Sequence, residues 1–206
     1  PISGIEDPLT HDPAHECCTS RGGVAALDLA TGKLLWKQYH IVEEPTLRTG
    51  ANEMPRRFGP AGASTYTPLA IDAKRGVLYA STAEEYGLLD PRGPYSVIAY
   101  DLESGARKWQ RQFLPDASAR ELACAAAAPT DCRNLFSTGT SVTIVTLAGG
   151  KQVLTVGQKW GFVYGLDPDS NGEELWRTRV ALGGDLGGVM YGMATDGSAL
   201  YVPVSD

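Results

Sequence analysis

The feature that most constrains this chain is one short pattern that occurs three times. It runs Ala26-Leu27-Asp28-Leu29-Ala30-Thr31-Gly32-Lys33-Leu34-Leu35-Trp36, and returns as Ala99-Tyr100-Asp101-Leu102-Glu103-Ser104-Gly105-Ala106-Arg107-Lys108-Trp109. A third copy, Gly165-Leu166-Asp167-Pro168-Asp169-Ser170-Asn171-Gly172-Glu173-Glu174-Leu175-Trp176, carries one extra residue in its turn. Each copy reads as an apolar strand, an Asp, a polar turn closed by Gly, and a second strand ending in Trp. The Asp caps the turn with its own side chain, and the Gly takes a positive φ. The copies start 73 and then 66 residues apart. That spacing is too long for a bare hairpin and suits one four-stranded unit with its loops.

The regions between the copies fit the same unit. Thr65–Ile71 and Val77–Ser81 read as two short strands joined by Asp72-Ala73-Lys74-Arg75-Gly76. Ser141–Leu147 and Gln152–Val156 repeat that arrangement around Ala148-Gly149-Gly150-Lys151, and a last pair flanks Thr195-Asp196-Gly197. Residues 4–21, 41–62, 84–94 and 113–138 are loops. Within the last of these, Ala117–Ala128 is Ala-rich enough for a short helix ended by Pro129. The expected fold is all-β: about three blades of a β-propeller, with four antiparallel strands per blade, over residues 1–206. Pro1-Ile2-Ser3 reads like Pro203-Val204-Ser205, so the expectation is a segment of a longer protein, with its first and last blades incomplete.

Composition narrows the function classes. The 24 Gly and 13 Pro supply many turns, and a net charge of −6 argues against a nucleic-acid binder. No apolar run reaches the roughly 18–20 residues of a membrane span. Cys17 and Cys18 are adjacent, and Cys124 and Cys132 are close in sequence, which suits an oxidising compartment, periplasmic or secreted. A local 124–132 disulfide, a vicinal 17–18 ring, other pairings and free thiols all stay open. Zinc is disfavoured, because no Cys-x-x-Cys is present and His11, His15 and His40 lack ligand spacing.

The Asp-turn-Gly-Trp hairpin resembles the blade-locking tryptophan motif of the quinoprotein dehydrogenases, eight-bladed propellers that bind pyrroloquinoline quinone (PQQ). Five stretches resemble the polyvinyl alcohol dehydrogenase branch in particular. These are Glu16-Cys17-Cys18-Thr19-Ser20-Arg21-Gly22, Gly59-Pro60-Ala61-Gly62-Ala63, Ile71-Asp72-Ala73-Lys74-Arg75-Gly76-Val77-Leu78-Tyr79, Val156-Gly157-Gln158-Lys159-Trp160-Gly161 and Tyr191-Gly192-Met193-Ala194. The resemblance implies PQQ on the propeller axis, a Ca²⁺ ion bridging quinone and protein, oxidation of a primary or secondary alcohol, and electron transfer to a cytochrome c. No Cys-x-x-Cys-His occurs, so a haem c would lie outside this segment or on a partner.

The resemblance also assigns residues. Ser3-Gly4-Ile5-Glu6 is similar to a turn whose Ser and Gly touch PQQ and whose Glu holds calcium. Glu85 falls where relatives carry an Asn calcium ligand. Lys159 matches the cation against the quinone oxygens, where an ammonium would stabilise developing negative charge. Arg21 serves a PQQ carboxylate or pins the cysteine loop. The stacking Trp of relatives falls at Thr65 or Tyr66, and their catalytic Asp falls at Ser137. A serine hydroxyl cannot take a proton at neutral pH without its own base; Asp131 is close in sequence but outside the matched position. Met190 replaces a polar residue that reaches the cofactor in relatives. Two functions therefore stand: a PQQ- and Ca²⁺-dependent alcohol dehydrogenase, or a propeller that has lost its redox site and serves as a binding or assembly scaffold.

Overall fold

The computed structural model describes residues 14–50, 52–86, 92–115, 118, 134–184 and 187–205. The first Asp-turn-Trp hairpin is β1 (Gly23–Leu27) and β2 (Leu34–Tyr39). A two-rung ribbon, β3 (Thr46–Leu47) with β4 (Phe58–Gly59), interrupts the stretch expected to be irregular. The first complete blade is β5 (Ala70–Asp72), β6 (Val77–Ser81), β7 (Ser96–Asp101) and β8 (Arg107–Gln112), in that order and antiparallel throughout. The second is β9 (Thr143–Thr146), β10 (Gln152–Gly157), β11 (Phe162–Asp167) and β12 (Glu173–Arg179). A short pair, β13 (Ala194–Thr195) and β14 (Leu200–Tyr201), follows. The described residues thus form a nearly all-β propeller architecture, in which two four-stranded blades lie between two-stranded pieces.

The strand expected over Thr65–Ile71 forms only over Ala70–Asp72. Upstream of it, Thr65 and Thr67 direct their hydroxyls at Ser81, one at the carbonyl at 2.9 Å and one at the side chain at 2.8 Å. Side-chain bonds to the end of β6 take the place of the ladder there. The Ala117–Ala128 helix expectation lies outside the described residues.

The first two repeats turn alike because their turns carry the same chemistry. Asp28 Oδ1 accepts from the Thr31 N–H at 2.8 Å and hydroxyl at 2.6 Å, and Asp101 Oδ1 accepts from Ser104 in the same way at 2.9 and 2.7 Å. These donors favour the carboxylate, so both Asp side chains are held below the usual carboxylate range. Every copy bulges one step before the Asp, at Ala26/Leu27, Ala99/Tyr100 and Gly165/Leu166. The extra residue of the third turn is absorbed by a 3₁₀ turn over Pro168–Ser170 and a left-handed Asn171.

Blades join through these same hairpins. The Trp36 ring lies over Gly105 of the next turn, where a Cβ would come within 2.6 Å of it, and Trp36 Nε1–H donates to Leu102 O at 3.3 Å. Trp109 covers Gly172 in the same manner. Arg75 adds an ionic clasp: it pairs with Asp72 in its own turn at 2.7 Å and forks onto both oxygens of Asp169 in the next blade at 2.8 Å, with a further bond to Gln152. Because β6 and β7 are covered on both sides, their alternate residues feed two cores. Val77, Tyr79, Val97 and Ala99 pack with Leu154, Val156, Tyr164 and Leu166. Leu78, Ala80, Ile98 and Tyr100 pack with Val24 on the other side, Trp36 lying against that group.

The tryptophan seats generate a prediction with an internal control. Gly32 and Gly105 share a left-handed backbone, with φ of 71° and 73°, but a Cβ on Gly32 meets nothing within 4 Å. Gly32→Ala should cost about 1 kcal/mol, the backbone strain alone. Gly105→Ala should cost a further ~2 kcal/mol from overpacking against Trp36. Denaturation midpoints of the two variants check this difference.

Candidate functional site

At one end of the blades, loops distant in sequence are tied into a continuous band by main-chain bonds. Gly22 N–H donates to Gly62 O at 2.8 Å, and Gly62 N–H to Ser20 O at 2.9 Å. Ala63 N–H donates to Glu84 O, and Ala83 N–H to Ser64 O, both at 2.7 Å. The band crosses to the next blade where Thr138 Oγ1–H donates to Thr82 O at 2.7 Å, and continues as Lys159 N–H donates to Ser137 O at 3.0 Å. Tyr191 N–H closes on Gly139 O at 2.7 Å. Gly62 is required here, since a Cβ would lie 2.6 Å from Glu84 O.

Most of the described residues singled out from sequence fall on or beside this band. Ser137 is fully buried, and its hydroxyl donates to Glu84 Oε2 across the blade seam. Glu84 is 7 % exposed and Lys159 5 %. Glu85 receives support at its main chain, where its N–H donates to the Tyr95 hydroxyl at 3.3 Å, and its Oε2 is shielded from solvent. Tyr66 is 45 % exposed, and its hydroxyl donates to Thr138 O at 3.0 Å, so its ring lies beside the Ser137 loop. Cys17 and Cys18 are joined to each other as a vicinal disulfide, buried with Ala61 and Tyr86. Met190 is partly buried on the segment that follows Gly188.

Two candidates sit differently. Thr65 is fully buried behind Tyr66, between His40 and Ser81. The Arg21 guanidinium donates to the carbonyls of Ile41, Val42 and Glu43 and lies 4.2 Å from the centre of the Tyr39 ring. It pins the 41–43 stretch, while its backbone pairs with Gly62. Ser3, Gly4, Glu6, Asp131, Cys124 and Cys132 lie outside the described residues. Among the described residues, no group of three or more His, Cys, Asp and Glu is gathered for a metal ion.

Sequence reasoning passed over three residues that shape the site. Glu84 was hidden by its neighbour Glu85. Only the structure separates the two, placing Glu84 at the end of the wholly buried run that starts with β6. Gln158 is fully buried, donating to Phe136 O at 2.6 Å and to Phe113 O at 3.3 Å, and accepting from Tyr164 at 2.9 Å. It fixes the segment that carries Ser137. His40 is fully buried between Tyr100 and Thr65. Thr65 gives its proton to Ser81 O, so it must accept from His40 Nε2–H, which leaves Nδ1 to accept from Tyr100 at 2.8 Å. No signal in the single sequence distinguishes this histidine from a loop residue.

Burial, with the nearby Arg107 charge, drives the His40 imidazole down to about 3 from 6.5. A depressed histidine is neutral when folded, so the unfolded chain binds the extra proton in between. Stability is therefore complete above about pH 6.5. It should fall by up to about 1.4 kcal/mol per pH unit as pH drops towards 3. His40→Gln should flatten that limb, as read from melting temperatures across pH.

A four-stranded antiparallel blade, locked to the next one by tryptophan, defines the class as a β-propeller. The chain belongs to the PQQ-dependent glucose/ethanol/alcohol dehydrogenase family, whose β-propeller domain matches residues 9–179. It is 38 % identical over 208 aligned residues to a polyvinylalcohol dehydrogenase of a Pseudomonas species, and 35 % identical over 215 to one of Sphingopyxis sp. strain 113P3. Both matches take in all of this chain and 32 % of the relative, so the chain spans about a third of those relatives' length. It superposes on the quinohemoprotein alcohol dehydrogenase of Comamonas testosteroni with a TM-score of 0.51 at 18 % identity, covering 78 % of this chain and 25 % of that one. That last likeness concerns the fold.

Proposed function

We propose that this chain is a segment of a PQQ- and calcium-dependent alcohol dehydrogenase acting on primary and secondary alcohols of the polyvinyl alcohol kind. Its electrons would pass to a cytochrome c, in the periplasm or outside the cell. The observation that carries the reading is the band at the blade seam, which gathers Tyr66, Glu84, Glu85, Ser137 and Lys159 in a chain of this family.

The donor set suits the cofactor. PQQ brings three carboxylates and a flat ortho-quinone that accepts hydride when bound. Lys159 offers the ammonium that such a polyanion needs, at a buried position where its charge acts with little screening. Tyr66 offers a ring face, tethered by its hydroxyl, and Thr65 fixes that ring's backbone from behind through His40 and Ser81. Glu85, with Glu6, supplies hard oxygens of the kind Ca²⁺ takes. Ser3 and Gly4 join the cofactor contacts in this reading. The vicinal disulfide packs on Tyr86, next to Glu85, and stiffens that wall. Arg21 acts at a distance, holding the 41–43 stretch against the cysteine loop.

The test uses the full-length protein with PQQ and Ca²⁺. Dye-coupled oxidation of a secondary alcohol and a PQQ-dependent rise in melting temperature are expected, both abolished by chelating the calcium. Lys159→Gln should weaken PQQ binding at least tenfold, about 1.4 kcal/mol. Absence of both dye reduction and the thermal shift would remove the enzyme reading and leave a scaffold propeller.

A further inference from the structure

We propose that the Tyr191 ring holds the carbon chain of the substrate, and that with the open surface at Gly192 it selects a long polyhydroxy alcohol over a short one. The proposal deepens the reading of this chain as part of an alcohol dehydrogenase of the polyvinyl alcohol kind, and rests on it. The stretch Tyr191-Gly192-Met193-Ala194 is one of those that resemble that branch, and the cofactor contacts make no use of its tyrosine.

Backbone stability would choose other residues at both positions. Met190 O accepts from the Gly192 N–H at 3.1 Å, so Tyr191 is the centre of a three-residue turn, and its φ is 73°. A positive φ makes this the rare, strained form of that turn, and a bulky side chain adds to the strain. In the same segment Gly183 and Gly188 take left-handed positions, with φ of 86° and 76°. Gly192 is the reverse case. Its φ lies outside the left-handed region and a Cβ there would meet nothing within 4 Å, so glycine is needed neither for conformation nor for room. A glycine at such a position costs stability through the freedom of the unfolded chain. Stability alone would place glycine at 191 and a larger residue at 192, and the chain has the opposite order. Strain of this kind gathers where function requires it.

Packing does not select the tyrosine either. Tyr191 is 78 % exposed, more than the main chain of a tyrosine supplies, so the ring itself is open. Tyr95 makes the contrast: its φ is 56°, but it is buried and stacks edge-on against Phe136, which accounts for its ring. The main chain fixes where the Tyr191 ring starts. Its N–H donates to Gly139 O at 2.7 Å, and the Tyr66 hydroxyl donates to Thr138 O at 3.0 Å. Two exposed tyrosines are therefore tied to consecutive carbonyls of the loop that carries Ser137. A Cβ on Gly188 would strike Lys159 O, so the segment that ends in Tyr191 runs against the Lys159 main chain.

A chain of alternating CH₂ and CHOH groups presents C–H bonds along its length and a hydroxyl on every second carbon. An aromatic face covers C–H groups, and a phenol bonds a hydroxyl. A short alcohol fills the reacting centre alone. A polymer must also lie across the loop surface, where Tyr66 and Tyr191 stand and Gly192 leaves room.

The experiment uses the full-length protein with PQQ and Ca²⁺ and compares wild type with Tyr191→Gly, Tyr191→Phe and Gly192→Leu. Melting temperature, PQQ affinity by fluorescence quenching, and dye-coupled kcat/KM for polyvinyl alcohol and for propan-2-ol are measured. Tyr191→Gly should raise the melting temperature by about 1 °C or more, because it relieves the left-handed strain. It should hold PQQ affinity within about threefold and lower the polymer-to-propan-2-ol ratio of kcat/KM at least ~5-fold, the loss of one aromatic contact. Tyr191→Phe keeps the ring face and should stay within about twofold of the wild-type ratio. Gly192→Leu should melt no lower than wild type and lower the ratio by obstruction. Tyr191→Gly with a wild-type ratio overturns the proposal. So does a lower melting temperature in that variant, which would make the ring a packing residue, and so does a loss of PQQ affinity, which would make it a cofactor contact. Tyr191→Phe with the ratio of Tyr191→Gly overturns the role of the ring face. Gly192→Leu with a wild-type ratio or a lower melting temperature overturns the role of the open surface. Wild type that oxidises propan-2-ol without preferring the polymer overturns the proposal and leaves the enzyme reading standing. Wild type that binds no PQQ and oxidises neither alcohol refutes the enzyme reading itself.

Discussion

Everything in this chain hangs on a tryptophan from one blade lying flat against a glycine in the turn of the next. A four-stranded sheet with both faces apolar cannot bury itself, and it is stable only when sheets stack on either side. Trp36 over Gly105 and Trp109 over Gly172 set the spacing and angle of that stacking. Each indole covers a large apolar area, and Trp36 also satisfies its one N–H on the neighbour's backbone. The glycine is needed twice over, for its left-handed φ and for the room the ring requires. Arg75 reaches the next blade from the opposite turn, and its planar fork matches the two oxygens of Asp169 in a way that lysine could not.

Once the blades are fixed, their seams become the place where chemistry can be assembled. The residues of the candidate site meet in pairs across or beside a seam: Glu84 with Ser137, Tyr66 with Thr138, Lys159 with Ser137. None of these pairs is close in sequence. Their geometry is set by backbone bonds between loops, so the side chains are aimed by the sheet rather than by their own flexible segments. A buried polar layer supports them from below. His40, Thr65, Ser81 and Tyr100 form a chain in which every donor has one acceptor, and Gln158 holds three partners at once. Such a network is costly unless complete, and completeness is what gives it a single arrangement.

Much of the architecture was legible in the sequence because its signals are local. The Asp that caps its own turn, the glycine with positive φ and the alternation of Val77, Tyr79 and Leu78, Ala80 each depend on residues a few positions apart. The strand boundary at Ala70 was not legible, because Thr65 and Thr67 give up the ladder for bonds to Ser81, a partner fourteen or sixteen residues away. Of the site, the sequence could mark positions by resemblance: Lys159, Glu85, Tyr66 or Thr65, and the serine where a carboxylate was expected. It left open how Cys17 and Cys18 pair, and the structure joins them to each other.

The sequence by itself determined a repeated tryptophan-locked blade, a family, and a short set of candidate side chains. It did so because turn chemistry and strand alternation are short-range properties. Which of two adjacent glutamates faces the neighbouring blade, which of Thr65 and Tyr66 shows its side chain to solvent, and whether Arg21 points outward or pins a loop were decided only by the tertiary structure. Each depends on contacts between residues distant in sequence, and those of Glu84 and Tyr66 cross a blade seam, so they exist only after the chain has folded and its sheets have stacked.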